Sequence, residues 1–400
     1  MKEINNINYI LKKDICVSCG ACRVICPQKC IEVGEQKRNY KPRVDVSRCI
    51  NCKMCLEVCP SYKVDYNEFA PSNRNILLGE YTDIFAGYID VNDERIKSTS
   101  GGIITNLLKY LINSGLVDAV TVVPSITSIN EQVKMIVTNN IGDVEDGRGS
   151  KYTNVDISEC IKYIVQNSEK KVALVGTSCQ FESVKKIIKM RNLNEENYLF
   201  IGIFCSKTLN HNVLKYYNSK FTPNGHDIDR FVFRSKIRNG APGETLIQVG
   251  EKKTYIENSF RRNISDYFKN ARCLYCFDRN NHLSDISIGD CFVEGFDSDL
   301  GESIVIVRNE KGKNLIDLLD NVRRIELNAE FLSEHCHNKS DERKLRLAAN
   351  KGIIINSSNN KLIKNDSKIV FIQRLKSKIG YSITNIYILD KLMKVMNKLF

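Results

Sequence analysis

Hydrophobic residues follow two different spacings along the middle of this chain. Short apolar runs are typical of buried strands, and they lie at 84–89, 116–123, 134–138, 172–175, 199–204, 231–233 and 304–307. Apolar residues at helical spacing predict helices, and these segments lie at 103–113, 157–166 and 182–190. Because strands and helices alternate, the pattern predicts an α/β domain with a mixed, largely parallel sheet, followed by a helical C-terminal end.

The front of the chain carries a cysteine repeat instead of this alternation. Both copies have the spacing C-x2-C-x2-C-x3-C-P, with cysteines at Cys16, Cys19, Cys22 and Cys26 and at Cys49, Cys52, Cys55 and Cys59. Three thiolates two residues apart can hold one 4Fe-4S cluster, and the fourth cysteine of such a motif ligates the other cluster. We therefore expect one cluster on Cys16, Cys19, Cys22 and Cys59, and a second on Cys49, Cys52, Cys55 and Cys26.

The repeat resembles a bacterial-type two-cluster ferredoxin, which implies an α+β ferredoxin-like domain over residues 1–70. Zinc is the alternative, but its ligands usually come in two separated pairs and not as three in one loop followed by Cys-Pro. Cys30 lies outside the repeat, and we expect it to be a packed cysteine and not a ligand.

Four further cysteines lie in the predicted α/β region. Cys179 and Cys205 follow predicted strands, and Cys273 and Cys276 form a C-x2-C pair. Chemistry in α/β proteins gathers at the carboxyl ends of strands, and four soft ligands could close a metal site there. Spacing alone leaves an iron–sulfur cluster, a zinc ion and buried free cysteines as open interpretations.

Six short motifs resemble those of the beta subunits of coenzyme F420-reducing hydrogenases and their dehydrogenase relatives, in the family's order. No single motif would decide the matter, but together they cover roughly 81–308. They lie at 98–105, 149–153, 176–180, 202–205, 273–276 and 284–290, the last reading Ser-Asp-Ile-Ser-Ile-Gly-Asp. The resemblance implies an α/β flavin-binding domain over 80–340. The helical pattern and the basic charge beyond it predict a basic helical tail at 341–400.

The resemblance also implies cofactors for this domain. A third 4Fe-4S cluster would be ligated by Cys179, Cys205, Cys273 and Cys276. FAD would lie near two segments, which are Ser100, Gly101 and Gly102 and, further along, Lys151, Tyr152 and Thr153.

Elementary chemistry supports such a flavin site without requiring it. Paired glycines at a helix start let backbone N–H groups approach a pyrophosphate, and Lys151 can offset its charge. The alternative for 98–102 is a helix cap with a flexible turn. The chain contains no G-x-G-x-x-G, so the usual dinucleotide fingerprint is missing.

Iron–sulfur clusters and a flavin together predict an oxidoreductase. FAD converts single-electron transfer into hydride transfer, and the resemblance implies coenzyme F420 or another small reducible molecule as the hydride partner. Two alternatives are a non-catalytic subunit that carries electrons to a partner enzyme and a reductase in polysaccharide biosynthesis. Either way we expect a redox partner protein or subunit.

Departures from the family pattern lie near the expected active face. Cys291 stands between the Gly-Asp pair and Phe292, and 206–208 reads Ser-Lys-Thr. We assign no general acid or base: Asp290 and His282 lie near the inner cysteines, but His282 stands in a polar stretch and is expected at the surface. His335 and His337 flank Cys336 with no second pair of ligands nearby.

Charge and composition bear on the partners of the protein and on its cellular location. The net charge of +12 is spread along the chain, and no nucleic-acid-binding motif accompanies it. No secretory signal and no apolar run of about 18 residues is present, so we expect a cytoplasmic protein without a transmembrane segment. From 361 to 400 there are nine Lys or Arg against two Asp. If this tail is peripheral, truncation after about Lys361 should leave the cluster content unchanged.

Overall fold

The computed structural model describes residues 5–36, 39–65, 77–222, 226–293, 298–325, 328–336, 339–355, 364–382 and 386–399. The front segment contains three short helices and three strands. They are α1 (Asn8–Lys12), α2 (Ala21–Ile25), β1 (Ile31–Gln36), β2 (Asn39–Val44), α3 (Met54–Glu57) and β3 (Val64–Asp65).

Strands and helices alternate through the next 140 residues. These elements are β4 (Asp83–Ile89), α4 (Asn92–Lys97), α5 (Ile103–Asn113), β5 (Ala119–Val122), β6 (Val133–Lys134), β7 (Ile136–Thr138), α6 (Ile141–Asp146), β8 (Val155–Asp156), α7 (Ser158–Gln166), β9 (Val172–Gly176), α8 (Ser178–Arg191), β10 (Tyr198–Ile203) and α9 (Asn212–Phe221).

A second group of strands precedes the helical end. The elements are β11 (Arg230–Ser235), β12 (Glu244–Val249), β13 (Lys252–Ile256), α10 (Asn258–Phe268), β14 (Ile286–Asp290), β15 (Ser303–Val307), α11 (Glu310–Asp317), β16 (Val322–Ile325), α12 (Ala329–Cys336), α13 (Lys339–Asn350), β17 (Ile354–Ile355), α14 (Lys364–Ser382) and α15 (Ile386–Leu399).

One eight-stranded sheet forms the centre, in the order β16-β4-β15-β14-β10-β9-β5-β7. The pairs β5/β9, β9/β10 and β10/β14 are parallel. The pairs β14/β15, β15/β4, β4/β16 and β5/β7 are antiparallel. The mixed sheet is therefore confirmed, but "largely parallel" is wrong: in this sheet three of the seven pairings between described strands are parallel, and they lie in its middle. An apolar run shows that a strand is buried and does not show its direction.

The front segment and the α/β region share a hydrophobic core. Ile10, Ile25 and Leu56 belong to the same buried cluster as Ile161 and Phe181. In addition, β3 pairs with β17, which joins the front of the chain to its last strand. The two regions are thus packed together, which fixes the cysteine repeat relative to the central sheet.

The C-terminal helices are also part of the core. Leu389, Met393 and Met396 are buried in the cluster that covers β11 and β12. The side chain of Ser377 on α14 donates to the Lys269 carbonyl. In the described part of the chain, no helix is long and apolar enough to cross a membrane.

Candidate functional site

The two copies of the cysteine repeat have the same backbone conformation at matching positions. Ser18 and Asn51 both have positive φ (59° and 55°), as do Gly20 and Lys53 (79° and 65°), which precede α2 and α3. Such left-handed turns are uncommon for residues other than glycine. The repeat in sequence is therefore also a repeat in structure, and each loop winds its three cysteines in the same way.

The thiols of Cys16, Cys19, Cys22 and Cys59 lie together. Burial raises the pKa of Cys19 and Cys22 well above the ordinary thiol value, and the other thiolates of this set raise it further. Burial also raises the pKa of Cys59 to about 12, and Cys16 contributes to that shift. We call these four cysteines the first thiol group.

A second set of thiols lies closer to the surface. Burial raises the pKa of Cys55 to about 11, and Cys52, Cys26 and Cys49 add to this effect. These four cysteines are the outer thiol group, and Cys52 is exposed to solvent. Cys30 is buried, and its Sγ lies 3.5 Å from that of Cys26.

A third set of thiols lies at the carboxyl edge of the central sheet. Cys179 is in the first turn of α8, directly after β9, and Cys205 follows β10. Cys273 is in a short 3-10 helix, Ala271–Tyr275, and Cys276 comes directly after it. Burial raises the pKa of Cys205 well above the usual range, and the other three thiolates raise it further. These four cysteines are the inner thiol group.

A chain of buried polar groups joins the first group to the inner group. Asn270 Nδ2 donates to the Cys16 carbonyl and to Asn154 Oδ1, each at 3.2 Å. Thr208 Oγ1 donates to the same Asn154 Oδ1 at 3.3 Å, and the Thr208 N–H donates to Cys273 Sγ at 3.3 Å. These bonds hold the two groups in a fixed relation.

No three His, Cys, Asp or Glu side chains in the described ranges are close enough to ligate one metal ion. Ligands of a single Zn²⁺ would lie about 3.8 Å apart, because they form a tetrahedron with bonds of about 2.3 Å. A four-iron cluster holds its thiolates further apart, since its own iron and sulfide atoms lie between them. Each thiol group supplies four cysteines, which is the ligand set of a 4Fe-4S cluster.

A cleft of ≈ 710 Å³ opens beside the inner thiol group. Five of the six residues predicted to contact FAD line it, together with thiols of the first and inner groups. These lining residues are Ser100, Gly102, Lys151, Tyr152, Thr153, Cys19, Cys179 and Cys205. The cleft is within the usual size range of small-molecule sites.

The paired glycines have two different structural roles. Gly102 has φ +81° and precedes α5, so its freedom allows the turn into that helix. A Cβ on Gly101 would lie 2.7 Å from the Gly87 carbonyl oxygen, so Gly101 lets the turn pack against the sheet. The Gly101 N–H donates to Ser303 Oγ at 3.0 Å. That N–H is therefore already used inside the protein.

Lys151 lies in the loop between α6 and β8, and its side chain bonds the backbone of that loop. Its Nζ donates to the carbonyls of Gly147 (2.7 Å) and Arg148 (2.8 Å). Burial lowers the pKa of Lys151 to about 7, and Asp146 opposes this shift. The Lys151 side chain therefore changes its protonation state near neutral pH.

Sequence reasoning missed the arginines of the cleft. Arg234 is buried, and its Nη1 donates to Asp290 Oδ2 at 2.6 Å and to the Tyr152 hydroxyl at 3.2 Å. The Arg261 guanidinium lies 4.7 Å from the centre of the Tyr152 ring. Isolated arginines in a strand or helix have no characteristic spacing, so only the fold shows that they converge.

More basic than acidic side chains line the cleft. Three of the basic ones are paired with carboxylates outside the lining: Arg148 with Glu94 and Glu145, Lys207 with Asp266, and Arg279 with Asp341. Asp290 is the only acidic side chain among the described residues that line it, and Arg234 neutralises it. The basic residues lining the cleft are Arg148, Lys151, Lys207, Arg234, Arg261, Arg262 and Arg279. Such a cleft favours an anionic ligand.

His282 is not at the surface, so that prediction is wrong. Its side chain is buried, and Nε2 lies 3.5 Å from Asp278 Oδ1 and 3.2 Å from the Leu77 carbonyl. The polar stretch around it folds beneath the inner thiol loop, with Asn280 and Asn281 buried as well. His337 lies outside the described residues, as does the side chain of His335.

Comparisons with known proteins identify the class. Residues 15–63 match a 4Fe-4S dicluster domain, so this is an iron–sulfur protein. Residues 84–162 match the N-terminal part and residues 169–330 the C-terminal part of the coenzyme F420 hydrogenase/dehydrogenase beta subunit. The chain belongs to that oxidoreductase family, which confirms the resemblance carried by the six motifs.

Two curated relatives extend over most of this chain. One subunit of the F(420)H(2) dehydrogenase of Methanosarcina mazei is 24% identical over 315 residues, covering 78% of this chain and 84% of the relative. Coenzyme F420-dependent sulfite reductase of Methanocaldococcus jannaschii is 27% identical over 341 residues, covering 80% of this chain and 49% of the relative. This chain thus spans about half the length of the sulfite reductase.

A solved structure shares the fold. A chain from the F420-reducing [NiFe] hydrogenase complex of Methanosarcina barkeri superimposes with a TM-score of 0.50 at 17% identity. The match covers 70% of this chain and 93% of the other. At that identity it establishes the architecture alone.

Proposed function

We propose that this protein is an iron–sulfur flavoprotein oxidoreductase that passes electrons between 4Fe-4S clusters and FAD and exchanges hydride with a small acceptor. One observation carries the proposal. The cleft lined by the residues predicted for FAD is also lined by Cys179 and Cys205 of the inner thiol group. One-electron and two-electron chemistry would therefore meet in one place.

The inner thiol group suits a third 4Fe-4S cluster. It offers four partly buried thiols from three segments of the chain, and four cysteines are the donor set that such clusters use. Arg272 lowers the pKa of Cys276 against the effect of burial, so the group has a cation beside it. In this proposal the outer, first and inner groups each hold one cluster, with the crossed ligation predicted for the front repeat.

The cleft suits FAD in size and charge. The pyrophosphate would lie where Lys151 supplies a cation, since Arg148 is already paired with Glu94 and Glu145. Arg234 and Arg261 orient Tyr152 further along the cleft. When bound, FAD supplies the conversion between single electrons and hydride. The chain itself binds and orients the ligand and keeps the inner thiols beside it.

Coenzyme F420 is the proposed hydride partner, because both curated relatives carry it in their names. Relatives that are subunits of larger enzymes also support a redox partner protein for this chain.

The domains that we propose are residues 1–70 for the clusters of the first and outer thiol groups, 80–340 for the flavin and inner cluster, and 341–400 for the C-terminal helices. We propose a cytoplasmic location. A non-catalytic electron-transfer subunit is the alternative, since the front clusters do not require a flavin.

Cofactor content tests the proposal. After anaerobic reconstitution we expect one FAD and roughly twelve irons per chain, from three four-iron clusters. Cys205→Ala should lose about four of these irons and keep about eight. Cys160→Ala is the control, because Cys160 is a buried cysteine whose pKa is raised by burial and not by neighbouring thiolates.

The outcomes separate the two functions. About eight irons without flavin in the unmodified protein would contradict the flavoenzyme proposal and leave the electron-transfer subunit. Reduction of F420 with a one-electron dye as donor would identify the hydride partner. FAD without F420 turnover would instead favour another acceptor, such as an intermediate of polysaccharide biosynthesis.

A further inference from the structure

The internal repeat places two equivalent cysteine loops in very different surroundings. The first loop, residues 16–22, is covered by the rest of the chain, and Ser18 in it is buried. The second loop, residues 49–55, is open to solvent: Asn51, the counterpart of Ser18, is exposed, and Cys52, the counterpart of Cys19, is exposed too. The same element is thus covered in one copy and largely exposed in the other, where Asn6 Nδ2 donates to Asn51 Oδ1 at 3.3 Å.

The first loop shows what such a loop docks against. Its carbonyl groups accept hydrogen bonds from three side-chain or backbone donors of the α/β region. These donors are Asn270 to Cys16, Gln132 to Ser18, and the Ile157 N–H to Cys19. Val17 and Cys19 line the cleft beside Cys179. The first loop is therefore docked against the region that carries the inner thiol group.

The second loop presents an apolar surface at the matching place. Ile50 is the counterpart of Val17 and is 60% exposed, and Val46 is 71% exposed. No large hydrophobic side chain in the described ranges is more exposed than Val46. Both residues flank Cys49 of the outer thiol group. We call the tract 45–53 the outer loop surface.

This tract is held in a defined shape. Asp45 Oδ1 accepts hydrogen bonds from the Ser47 N–H (3.0 Å) and hydroxyl (2.6 Å). Arg48 Nη2 donates to the Gln28 carbonyl at 2.8 Å, which ties the tract to the first repeat copy. Because the loop is already ordered, docking would cost little conformational entropy.

Cations border the apolar centre. Arg48 and Lys53 lie within the tract, and Lys29 lies beside its anchor at Gln28; all three are exposed. The acidic residues nearby are Asp45, whose carboxylate is bound by Ser47, and Glu57. An apolar centre with a basic border fits a partner with an acidic border.

We propose that the outer loop surface is the docking site for an acidic iron–sulfur electron carrier protein. This rests on the proposed function only in requiring a cluster in the outer thiol group. The carrier would bind Val46 and Ile50 at its centre and place its own cluster next to Cys52. One electron would pass between the carrier's cluster and the outer cluster, so one is oxidised as the other is reduced. No proton or bond is involved, and small, transient interfaces suffice for such transfers.

Stopped-flow spectroscopy of the full chain tests the proposal. The probe is an acidic two-cluster ferredoxin, reduced beforehand, and bleaching of this protein's clusters is followed at low and high salt. We expect Val46→Glu and Ile50→Glu to lower the second-order rate constant about tenfold or more, because each places a carboxylate against the acidic partner. Arg48→Glu with Lys53→Glu should lower it at low salt and flatten its salt dependence.

Two controls isolate docking from cluster damage. Leu116→Glu changes an exposed leucine far from the repeat in sequence and should leave the rate unchanged. Reduction by methyl viologen, a small dye that needs no docking surface, should be equal in all variants, and each variant should keep its iron.

Several results would overturn the proposal. One is an equal rate with ferredoxin in Val46→Glu and the unmodified protein. Another is an unmodified protein that viologen reduces but ferredoxin does not. A dimer that Val46→Glu dissociates would show that a second copy covers this surface. Loss of FAD or F420 turnover alone would contradict the proposed function and leave the docking surface standing, whereas absence of the front clusters would remove both.

Discussion

Lys151 shows how one residue couples the cleft to pH. Its ammonium is buried against the Gly147 and Arg148 carbonyls, and burial lowers its pKa to about 7. A phosphate bound beside it would favour the charged form and so raise this pKa. Binding is then tightest below pH 7, where Lys151 is already charged, and weakens as the pH rises above 7.

We therefore expect FAD affinity to fall by up to about tenfold per pH unit above pH 7. Lys151→Met should weaken binding at pH 6 and remove most of this slope. Quenching of FAD fluorescence between pH 6 and 9 measures both effects. Lys236, whose pKa burial lowers to about 8, bonds the Ser100 carbonyl and can contribute a smaller slope. Lys134→Met, at an exposed lysine outside the cleft lining, serves as the control, and an unchanged slope in Lys151→Met would contradict the expectation.

Residue identities could be predicted where the chemistry has a spacing. The spacing of the cysteine repeat predicts which four thiols belong to each group, and in the structure the thiols of the first group and of the outer group lie near one another. The arginines of the cleft have no such spacing, because Arg234 and Arg261 come from separate elements that meet only in the fold. The Gly101 N–H also differs from its expected role, since Ser303 from β15 uses it.

At the scale of elements, the start of α8 positions the inner thiols. Thr177 and Gln180 form a capping box, in which the Thr177 side chain accepts from the Gln180 N–H and the Gln180 side chain accepts from the Thr177 N–H at 2.8 Å. Thr177 Oγ1 also lies 3.5 Å from Cys179 Sγ. The cap therefore fixes the first turn of the helix and the thiol within it.

Thr177→Ala should lower the free energy of unfolding by about 1 kcal/mol, the usual cost of losing an N-cap. It should also change the visible or EPR spectrum of an inner cluster, because a hydroxyl beside a ligand sulfur is removed. Thr177→Ser keeps the hydroxyl and should restore both properties. Anaerobic denaturant titration and spectroscopy of the two variants test this. Equal effects of Ala and Ser would show that the methyl group, and not the cap, matters.

The hydrophobic pattern predicted the strands β4, β5, β7, β9, β10, β11 and β15 and the helices α5, α7 and α8, but not all of their limits. The helix expected at 182–190 begins at Ser178, because the capping box is a side-chain signal that apolar spacing does not contain. β14 was not expected as a strand, although it lies within the 284–290 motif. Its neighbour β15 runs antiparallel to it, a direction that no local pattern encodes.

At the scale of the whole molecule, the front repeat and the C-terminal helices are tied to the same central region. β3 pairs with β17, and Arg272 next to Cys273 donates to the Pro60 carbonyl at 3.1 Å. These contacts join residues more than 200 positions apart. Local sequence patterns cannot reveal these contacts, because the sequence of each element does not indicate which distant element it will pack against.

The C-terminal helices are also packed against the central region, so they are not the peripheral tail for which truncation would leave the cluster content unchanged. The Tyr267 hydroxyl donates to the Met393 carbonyl and to Asn397, and Lys269 bonds Gln373 at 2.8 Å. These residues precede the 3-10 helix that carries Cys273. Removing α14 and α15 would uncover the apolar surface that includes Tyr267 and Phe268, which directly precede the 3-10 helix with Cys273.

Truncation after Lys361 should therefore lower the thermal midpoint and the content of inner-cluster iron by about four per chain, while about eight irons remain in the front repeat. The physical reason is that the support beneath Tyr267 and Phe268 is lost, whereas the front thiols keep their own helices. Phe371→Ser is the matched control within α14, because Phe371 is 67% exposed and should change neither property. Iron analysis and anaerobic thermal unfolding decide the matter. A truncated chain with full iron and an unchanged midpoint would mean that α14 and α15 only cover a surface that is stable without them.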